Sequence, residues 1–454
     1  MARHPMNPPA KGWSLTMPLR LWTELSDHLF RGDHDEHGAV ILAGYAHGPR
    51  GPRLLARELI LAQDGVDYVP GQHGYRALAP TFVRDAAIRA RDEHLAYFAV
   101  HNHFGDVVVG FSQTDMASHE RGYPALRQIT NQIVGGLVFT PYAAAGDLWL
   151  PGGERVDLAE VLIPGGNLVR LRSRPALPVA VQPEHDRQAR VFGDLGQEAL
   201  NQMRVAVVGL GGVGSIAVEF LARLGVGDLV LIDDDTAQET NLPRLLAAER
   251  DDVGKPKISL AVRNARRANP DIRLTALRER VESISARNAL SACDWIFLAA
   301  DTHAARHWVN AIANRYLIPA TQIGVKIQVS ATGEVEQIHT ATRLIIPGNG
   351  CMWCNGLIDP TELAIDMHPE RERNAARYVT DVPAPSVSAL NGLATLEAVN
   401  HFMFAVTGLH RDPTDAASIV HLPRIRERTL QTVRRDPTCA WCSATGTLGR
   451  GHPG

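Results

Sequence analysis

Between residues 101 and 115 the chain reads His101-Asn102-His103-Phe104, then seven residues, then Ser112-Gln113-Thr114-Asp115. His101 and His103 are two apart, so on an extended strand both imidazoles leave the same face. Ser112 and Asp115 are three apart and share a face if a helix begins there. Two imidazoles and a carboxylate leave a fourth tetrahedral position open, which is the arrangement of a catalytic zinc rather than a structural one. The competing reading is purely local. Ser-x-x-Asp ahead of a helix is also an N-cap, and paired histidines on a strand are often only polar face residues.

The full string resembles the JAMM metallopeptidase motif (also called MPN-plus or JAB), His-x-His-Pro-x7-Ser-x-x-Asp, with every spacing kept. Phe104 stands where that family has proline, and Asn102 where it has Ser or Thr; neither position is a ligand. The resemblance implies zinc held by His101, His103 and Asp115, with Ser112 stabilising an oxyanion. A glutamate that moves protons lies far upstream in that family, before a glycine and an apolar strand. Glu36-His37-Gly38 ahead of Ala39-Val-Ile-Leu-Ala-Gly44 is similar to that segment, with Glu58 and Glu24 as rivals.

A second constellation begins at Arg204-Val-Ala-Val-Val208, a buried-strand composition, and runs into Gly209-Leu-Gly211-Gly212-Val-Gly214-Ser215. A glycine-rich turn between strand and helix lets backbone N–H groups approach a phosphate. The next strand, Leu229–Ile232, ends in Asp233-Asp234-Asp235, well placed for a ribose hydroxyl. On this stretch alone an NAD-dependent oxidoreductase is favoured. The continuation argues otherwise: Asn241-Leu-Pro-Arg244, Gly254-Lys-Pro-Lys257 and a strand Trp295–Leu298 ending at Asp301, with Arg306 and Asn310 beyond. Hydride transfer has no use for so many phosphate-directed side chains, whereas nucleotidyl transfer does.

Residues 185–445 resemble the adenylyltransferases of the ThiF, MoeB and ubiquitin-activating type, with six motif elements in order and one asparagine lost at Thr302. The resemblance implies ATP bound by Gly209, Gly211, Gly212, Gly214 and Ser215, ribose at Asp233 near Asp235, and phosphates engaged by Asn241, Arg244 and Lys257. It also implies Mg²⁺ at Asp301, and a homodimer in which Arg187 reaches the partner's nucleotide. The substrate would be the C-terminal glycine of a ubiquitin-like or sulfur-carrier protein. Its carboxylate ionises near pH ~3.5, so attack on the α-phosphate needs no general base at neutral pH.

Five cysteines in 454 residues exclude a disulfide framework and suit a reducing, cytoplasmic compartment. Cys351-Met-Trp-Cys354 and Cys439-Ala-Trp-Cys442 each offer two thiolates from one turn and together complete a four-cysteine set. A redox pair is the rival reading, and the adenylyltransferase resemblance implies a structural zinc instead. Cys293 leads into an apolar strand and reads as core. None of residues 355–438 is cysteine, so the usual region for a thioester nucleophile holds no thiol.

The elements that must position these groups follow from periodicity and punctuation. In the first domain, expected over 12–160, strands at 39–45 and 53–62 precede a helix at 80–94. A strand then enters His101, a helix starts at Ser112, and strands fall near 133–139 and 147–150. This order predicts α+β, and the JAMM resemblance implies a deaminase-like fold. Prolines mark a linker over 161–183, and 184–446 alternates strand and helix as a doubly wound, Rossmann-like α/β sheet. Residues 1–11 and 447–454 read as disordered, and 366–385 as a mobile crossover loop. A net charge of −3, with 45% apolar residues, leaves nothing basic enough for nucleic acid and no membrane span. Two readings from other classes stay open: an oxidoreductase with a metal-binding domain, and a non-catalytic scaffold for a ubiquitin-like tail.

Overall fold

A computed structural model describes residues 12–49, 51–71, 74–177, 180–330, 332–368, 385–412 and 417–452. Two compact units divide it. Of the described residues, one comprises 12–177 together with Arg315–Leu317 and the segment from Ser443; the other comprises 180–314 and Ile318–Cys442. The leader expected at 1–11 and most of the expected crossover loop, 369–384, lie outside the described residues.

In the first unit the strands are β1 (Trp13–Thr16), β2 (Gly38–Gly48), β3 (Gly51–Leu61), β4 (Ala96–Asn102), β5 (Val134–Phe139), β6 (Ala144–Trp149), β7 (Arg155–Pro164) and β8 (Leu168–Leu171). They form one mixed sheet in the order β1-β3-β2-β4-β5-β6-β7-β8, and β1 also pairs with β7, so the sheet curls onto itself. The run Ala39–Ala43 shows why β2 is central. Ala39, Ile41 and Ala43 enter one apolar cluster with Phe98 and Val100, while Val40 and Leu42 enter another with Tyr97. Period-two alternation thus feeds two cores from one strand. Helix α1 (Leu19–Leu29) covers the first core through Leu25 and Leu29, and α2 (Pro80–Asp92) and α3 (Gln113–Thr130) cover the second.

The expected strands and helices of this unit appear with small shifts at their ends. Four elements were not foreseen: β1, α1, β7 and β8. The last two carry the sheet to Leu171, well past the expected boundary at 160, so the first part of the segment assigned to a linker belongs to the sheet. The expected disordered tail is also corrected for its described part. Leu448 packs with Ala46, Leu55 and Leu317. Arg57, only 5% exposed, donates to the carbonyls of Ala444, Gly446 and Leu448. Gly449 and Gly451 have φ of 65° and 62°, and a Cβ on Gly44 would strike the Gly449 carbonyl. Glycine in the tail therefore meets the demand of close backbone contact rather than signalling disorder.

The second unit is a doubly wound sheet in the order β11-β10-β9-β12-β13-β14-β15-β16. Its strands are β9 (Arg204–Val208), β10 (Asp228–Ile232), β11 (Arg273–Leu277), β12 (Trp295–Leu298), β13 (Ala320–Val329), β14 (Val335–Ile345), β15 (Ser418–Leu422) and β16 (Glu427–Gln431). The first five run parallel, and the rest extend the sheet antiparallel. Its helices are α4 (Asp186–Asn201), α5 (Gly212–Arg223), α6 (Lys257–Ala268), α7 (Ile284–Ser291), α8 (His303–Arg315), α9 (Pro360–Asp366) and α10 (Ser388–Thr407). Strand order reverses between β9 and β12, which is where open α/β sheets present a crevice for a ligand. No helix among the described residues is long and apolar enough to cross a membrane.

Candidate functional site

Val208, Ile232 and Leu298 lie in register, so the segments that follow β9, β10 and β12 leave one edge of the sheet together. After β9 the chain turns at Gly209, whose φ of 87° favours glycine and whose missing Cβ makes room for the Ala300 amide. A Cβ on Gly214 would strike the Gly209 carbonyl, and one on Gly212 would strike the Asn391 amide of α10. Gly211 differs: a Cβ there would meet nothing within 4 Å. Packing thus accounts for three of the four glycines, and the fourth leaves backbone open for close approach of a phosphate.

Side chains brace this loop. Asp233, buried at the end of β10, accepts from Leu210 N–H at 2.6 Å and Asp235 N–H at 3.0 Å. Burial pushes its carboxyl up, against these hydrogen bonds and Lys257. Lys257 Nζ lies 2.7 Å from Asp235 Oδ2, and Ser215 Oγ accepts from Leu246 N–H at 3.1 Å. Arg244 Cβ borders Gly212, and buried Asn241 closes a short 3₁₀ turn, its Oδ1 accepting from Gln238 N–H at 3.3 Å. Asp301 is exposed, next to the Ala300 that abuts Gly209. Arg187 stands apart: it is exposed on the first turn of α4, with no hydrogen bond or ion pair to these groups among the described residues. Two contributors went unnamed in the sequence reading, Asn391 against the glycine loop and Asp366, whose Oδ2 accepts from His303 N–H at 2.7 Å at the start of α8. Neither has a local motif; each arrives from a distant stretch of chain.

The cysteine pairs converge. Cys351 Sγ lies 3.7 Å from both Cys354 and Cys439, and Cys354 lies 3.5 Å from Cys442. A tetrahedron with ~2.3 Å zinc–sulfur arms has edges of about 3.8 Å, so these thiols fit a zinc ion. Backbone N–H groups of Asp436 and Trp441 point at Cys354 and Cys439, each at 3.5 Å. Cys293 is fully buried.

In the first unit, antiparallel β2 and β4 pair Gly38 with His101. Continuing that register sets Glu36 opposite His103, and Glu36 Oε1 lies 3.8 Å from His103 Nε2. The Asn102 side-chain Oδ1 accepts from His37 N–H at 2.7 Å, clipping the Glu36 segment to β4. His101 Nε2 and His103 Nε2 are 3.2 Å apart, and Asp115 carboxylate oxygens lie 3.6 and 3.3 Å from them. Lone-pair donors held this close are stabilised by a cation among them, so the set fits a metal ion. The cap reading of Ser112 and Asp115 holds, and it leaves the same carboxylate beside the histidines. Ser112 caps α3, and Asp115 completes a capping box. Ser112 Oγ donates to Asp115 Oδ2 at 2.7 Å, so in this arrangement the hydroxyl is committed to orienting the carboxylate.

Burial pushes the Glu36 carboxyl up, while His101 and His103 pull it down. For Asp115 burial also pushes up, yet hydrogen bonds with His101, His103 and Ser112 prevail and hold it well below the usual carboxylate range. Of the rival glutamates, Glu58 pairs with Arg89 at 2.9 Å, and Glu24 is exposed on α1. Behind the site His119, 5% exposed, bonds Asp147 at 2.8 Å, and Arg155 holds the same carboxylate at 2.5 Å.

Comparison with known proteins now places the second unit. The ThiF family model matches residues 185–441, more than half of the chain, and the chain belongs to that family. It carries a ThiF-type adenylyltransferase domain, which replaces the oxidoreductase reading of the glycine loop. The sulfur carrier protein ThiS adenylyltransferase of Escherichia coli is 36% identical over 205 residues, covering 45% of this chain and 74% of that enzyme. The SAMP-activating enzyme E1 of Haloferax volcanii is 31% identical over 162 residues, covering 36% of this chain and 56% of that protein. A crystal structure of Escherichia coli MccB with ATP is 21% identical, covers 58% of this chain and 75% of that one, and superposes with a TM-score of 0.47.

Proposed function

We propose that this chain performs two reactions on the C-terminal tail of a ubiquitin-like or sulfur-carrier protein: ATP-dependent adenylation of its terminal glycine, and zinc-dependent hydrolysis of the peptide or isopeptide bond that follows such a glycine. Family membership supports the first reaction, together with relatives whose names specify ThiS and SAMP as what they adenylate or activate. The observation that carries the second is the convergence of His101, His103 and Asp115 beside Glu36.

In the adenylation site the chain's task is to hold two anions together. Lys257, Arg244 and Asn241 would take the triphosphate and Asp233 the ribose, and Asp301 would hold Mg²⁺. The glycine carboxylate oxygen forms a bond to the α-phosphorus as the bond to pyrophosphate breaks. In a homodimer Arg187 would serve the partner's nucleotide. With Cys293 buried and no cysteine in 355–438, the adenylate passes to an acceptor outside the chain.

In the hydrolytic site His101, His103 and Asp115 would hold zinc, which supplies Lewis acidity and an acidified water when bound. Glu36, in its half-buried place, takes the proton of the attacking water and returns it to the leaving amine. Ser112 keeps Asp115 oriented. The test is paired. ATP–pyrophosphate exchange should depend on a glycine-ended ubiquitin-like protein and fall with Lys257→Ala. Cleavage of a ubiquitin-like fusion should fall with Asp115→Ala and not with Lys257→Ala. Exchange without cleavage by the zinc-loaded chain rejects the hydrolase. Tail binding with neither reaction supports the scaffold reading.

A further inference from the structure

The loop that links the metal donors, 104–111, does not stand alone. Thr140 Oγ1 donates to the Asp106 carbonyl at 2.5 Å, and Val109 N–H donates to the Ser173 carbonyl at 3.1 Å. Ala144 N–H donates to the Arg172 carbonyl at 3.2 Å. These bonds tie the metal loop, the β5–β6 turn and the stretch after β8 into the walls of one cleft. Its volume is about 230 Å³, and Val107, Tyr142, Arg170, Arg172 and Arg174 line it.

The charge count is unbalanced. Glu160, 7% exposed, receives Arg170 at 2.8 Å and Arg172 at 2.9 Å, so one carboxylate serves two guanidiniums. Arg174 is exposed and makes no ion pair among the described residues, and the lining holds no carboxylate. Arginines thus outnumber carboxylates along the cleft, and its net charge is positive. Of its lining residues Val107 and Tyr142 are apolar, and they and Phe104 and Val108, close to Val107 in the chain, are each more than half exposed. A solvated loop has no folding reason to present four such side chains together, and a patch of this kind beside a charged cleft marks a recognition surface.

We propose that this cleft binds an acidic segment of the polypeptide cleaved at the His101–His103–Asp115 site, a few residues away from the scissile glycine. The distance in sequence sets the scale, since Val107 follows the donor His103 by four residues. Arginine forks take carboxylates in bidentate geometry, and the apolar rim covers the neighbouring side chains. This inference rests on the hydrolase reading, and its test separates the two.

Fluorescence anisotropy with the full chain would compare two labelled peptides ending in Gly-Gly, one with several glutamates upstream and one with glutamines in their place. The acidic peptide should bind about tenfold more tightly at low salt, as expected for desolvated charge pairs. The preference should shrink as salt rises from about 50 to about 500 mM and the Debye length falls. Arg174→Glu, which disturbs no ion pair of the fold, should abolish the preference, and Val107→Asp should weaken both peptides. Equal affinities in the wild type, or a preference that survives Arg174→Glu, would overturn the assignment. So would a single-stranded oligonucleotide that outcompetes the acidic peptide. Cleavage of the matching fusions reports separately. Loss of acidic selectivity in Arg174→Glu, with the neutral fusion cut at an unchanged rate, supports the cleft. If neither fusion is cut by the wild type, the hydrolase fails and anisotropy alone decides the binding site.

Discussion

The glycine loop after β9 and the His101–His103–Asp115 cluster are built on opposite plans. After β9 the site is mostly backbone, with glycines at 209, 212 and 214 set by packing and Gly211 facing open space. At β4 the site is wholly side chain, with three donors from two elements converging within 4.8 Å. Backbone sites depend on the path of the chain; side-chain sites depend on a few heteroatoms and on whatever orients them. The first depends both on its turn and on the charged side chains that flank it. The second should survive modest backbone strain and fail with one atom.

The largest expected effects come from single side chains in each site and divide by unit. Glu36→Gln should lower hydrolysis by about 10²–10⁴, the usual contribution of a positioned acid–base group, with metal content unchanged. Lys257→Ala should lower pyrophosphate exchange by about 10²–10³ and leave cleavage alone. Metal analysis sharpens the split: two zinc ions per chain are expected, Asp115→Ala losing one and a Cys354→Ser, Cys442→Ser pair losing the other.

Next comes the support of the metal unit from the far end of the sequence. Burial pushes the Arg57 guanidinium down to about 10, so it stays charged at neutral pH while it binds three tail carbonyls. Arg57→Ala, or truncation after Cys442, should destabilise this unit by about 3 kcal/mol, given what hydrogen bonds to a charged group contribute. Faster hydrogen exchange in β2 and β3 would report it, and protection equal to wild type would show that the tail is dispensable.

Asp147 supplies a pH-dependent term. Burial pushes its carboxyl up, but His119, Arg155 and Trp149 outweigh it and bring it down to about 2. A carboxyl lowered on folding stabilises the folded state above its ordinary pKa of ~3.8, and that contribution fades as pH falls toward 2. Asp147→Asn should therefore cost on the order of 2 kcal/mol at pH 7 and much less near pH 2–3. Denaturant melts at both pH values check the sign.

The smallest effects separate glycine from glycine. Gly209→Ala combines positive φ with a clash at Ala300 and should cost about 1–3 kcal/mol. Gly211→Ala, at φ −71° in open space, should leave stability within about 0.5 kcal/mol and raise KM for ATP several-fold. Equal melting temperatures for the two would erase the distinction between the fold's glycine and the ligand's.

Much of this was legible in the sequence, for reasons that differ by region. Strand β12 falls on Trp295–Leu298 as its apolar run indicates, and the phosphate loop is readable because positive φ and close contact leave glycine little competition. The convergence of His101, His103 and Asp115 followed from local donor spacing, and the nearness of Glu36 from the resemblance of the segment just before β2 to the metallopeptidase pattern. Asn102 was visible only as a departure from the family pattern; its bond to His37 N–H depends on a strand register that spacing does not encode. β7, β8 and the tail escaped because proline and glycine there read as loop punctuation, whereas long-range pairing puts Pro164 at a strand end and Gly449 against Gly44. Asp366 and Asn391 escaped for the same cause, being local to the site only in three dimensions.

If one chain houses two independent chemistries, as proposed, single substitutions must separate them. The most direct measurement follows pyrophosphate exchange and fusion cleavage in the same zinc-loaded preparation of wild type, Glu36→Gln and Asp301→Ala. The expected result is a clean crossing: Glu36→Gln exchanges pyrophosphate at the wild-type rate and cuts at least about 10²-fold more slowly, while Asp301→Ala cuts at the wild-type rate and exchanges nothing. Cleavage by Glu36→Gln at the wild-type rate, or loss of cleavage together with exchange in Asp301→Ala, would contradict two independent sites.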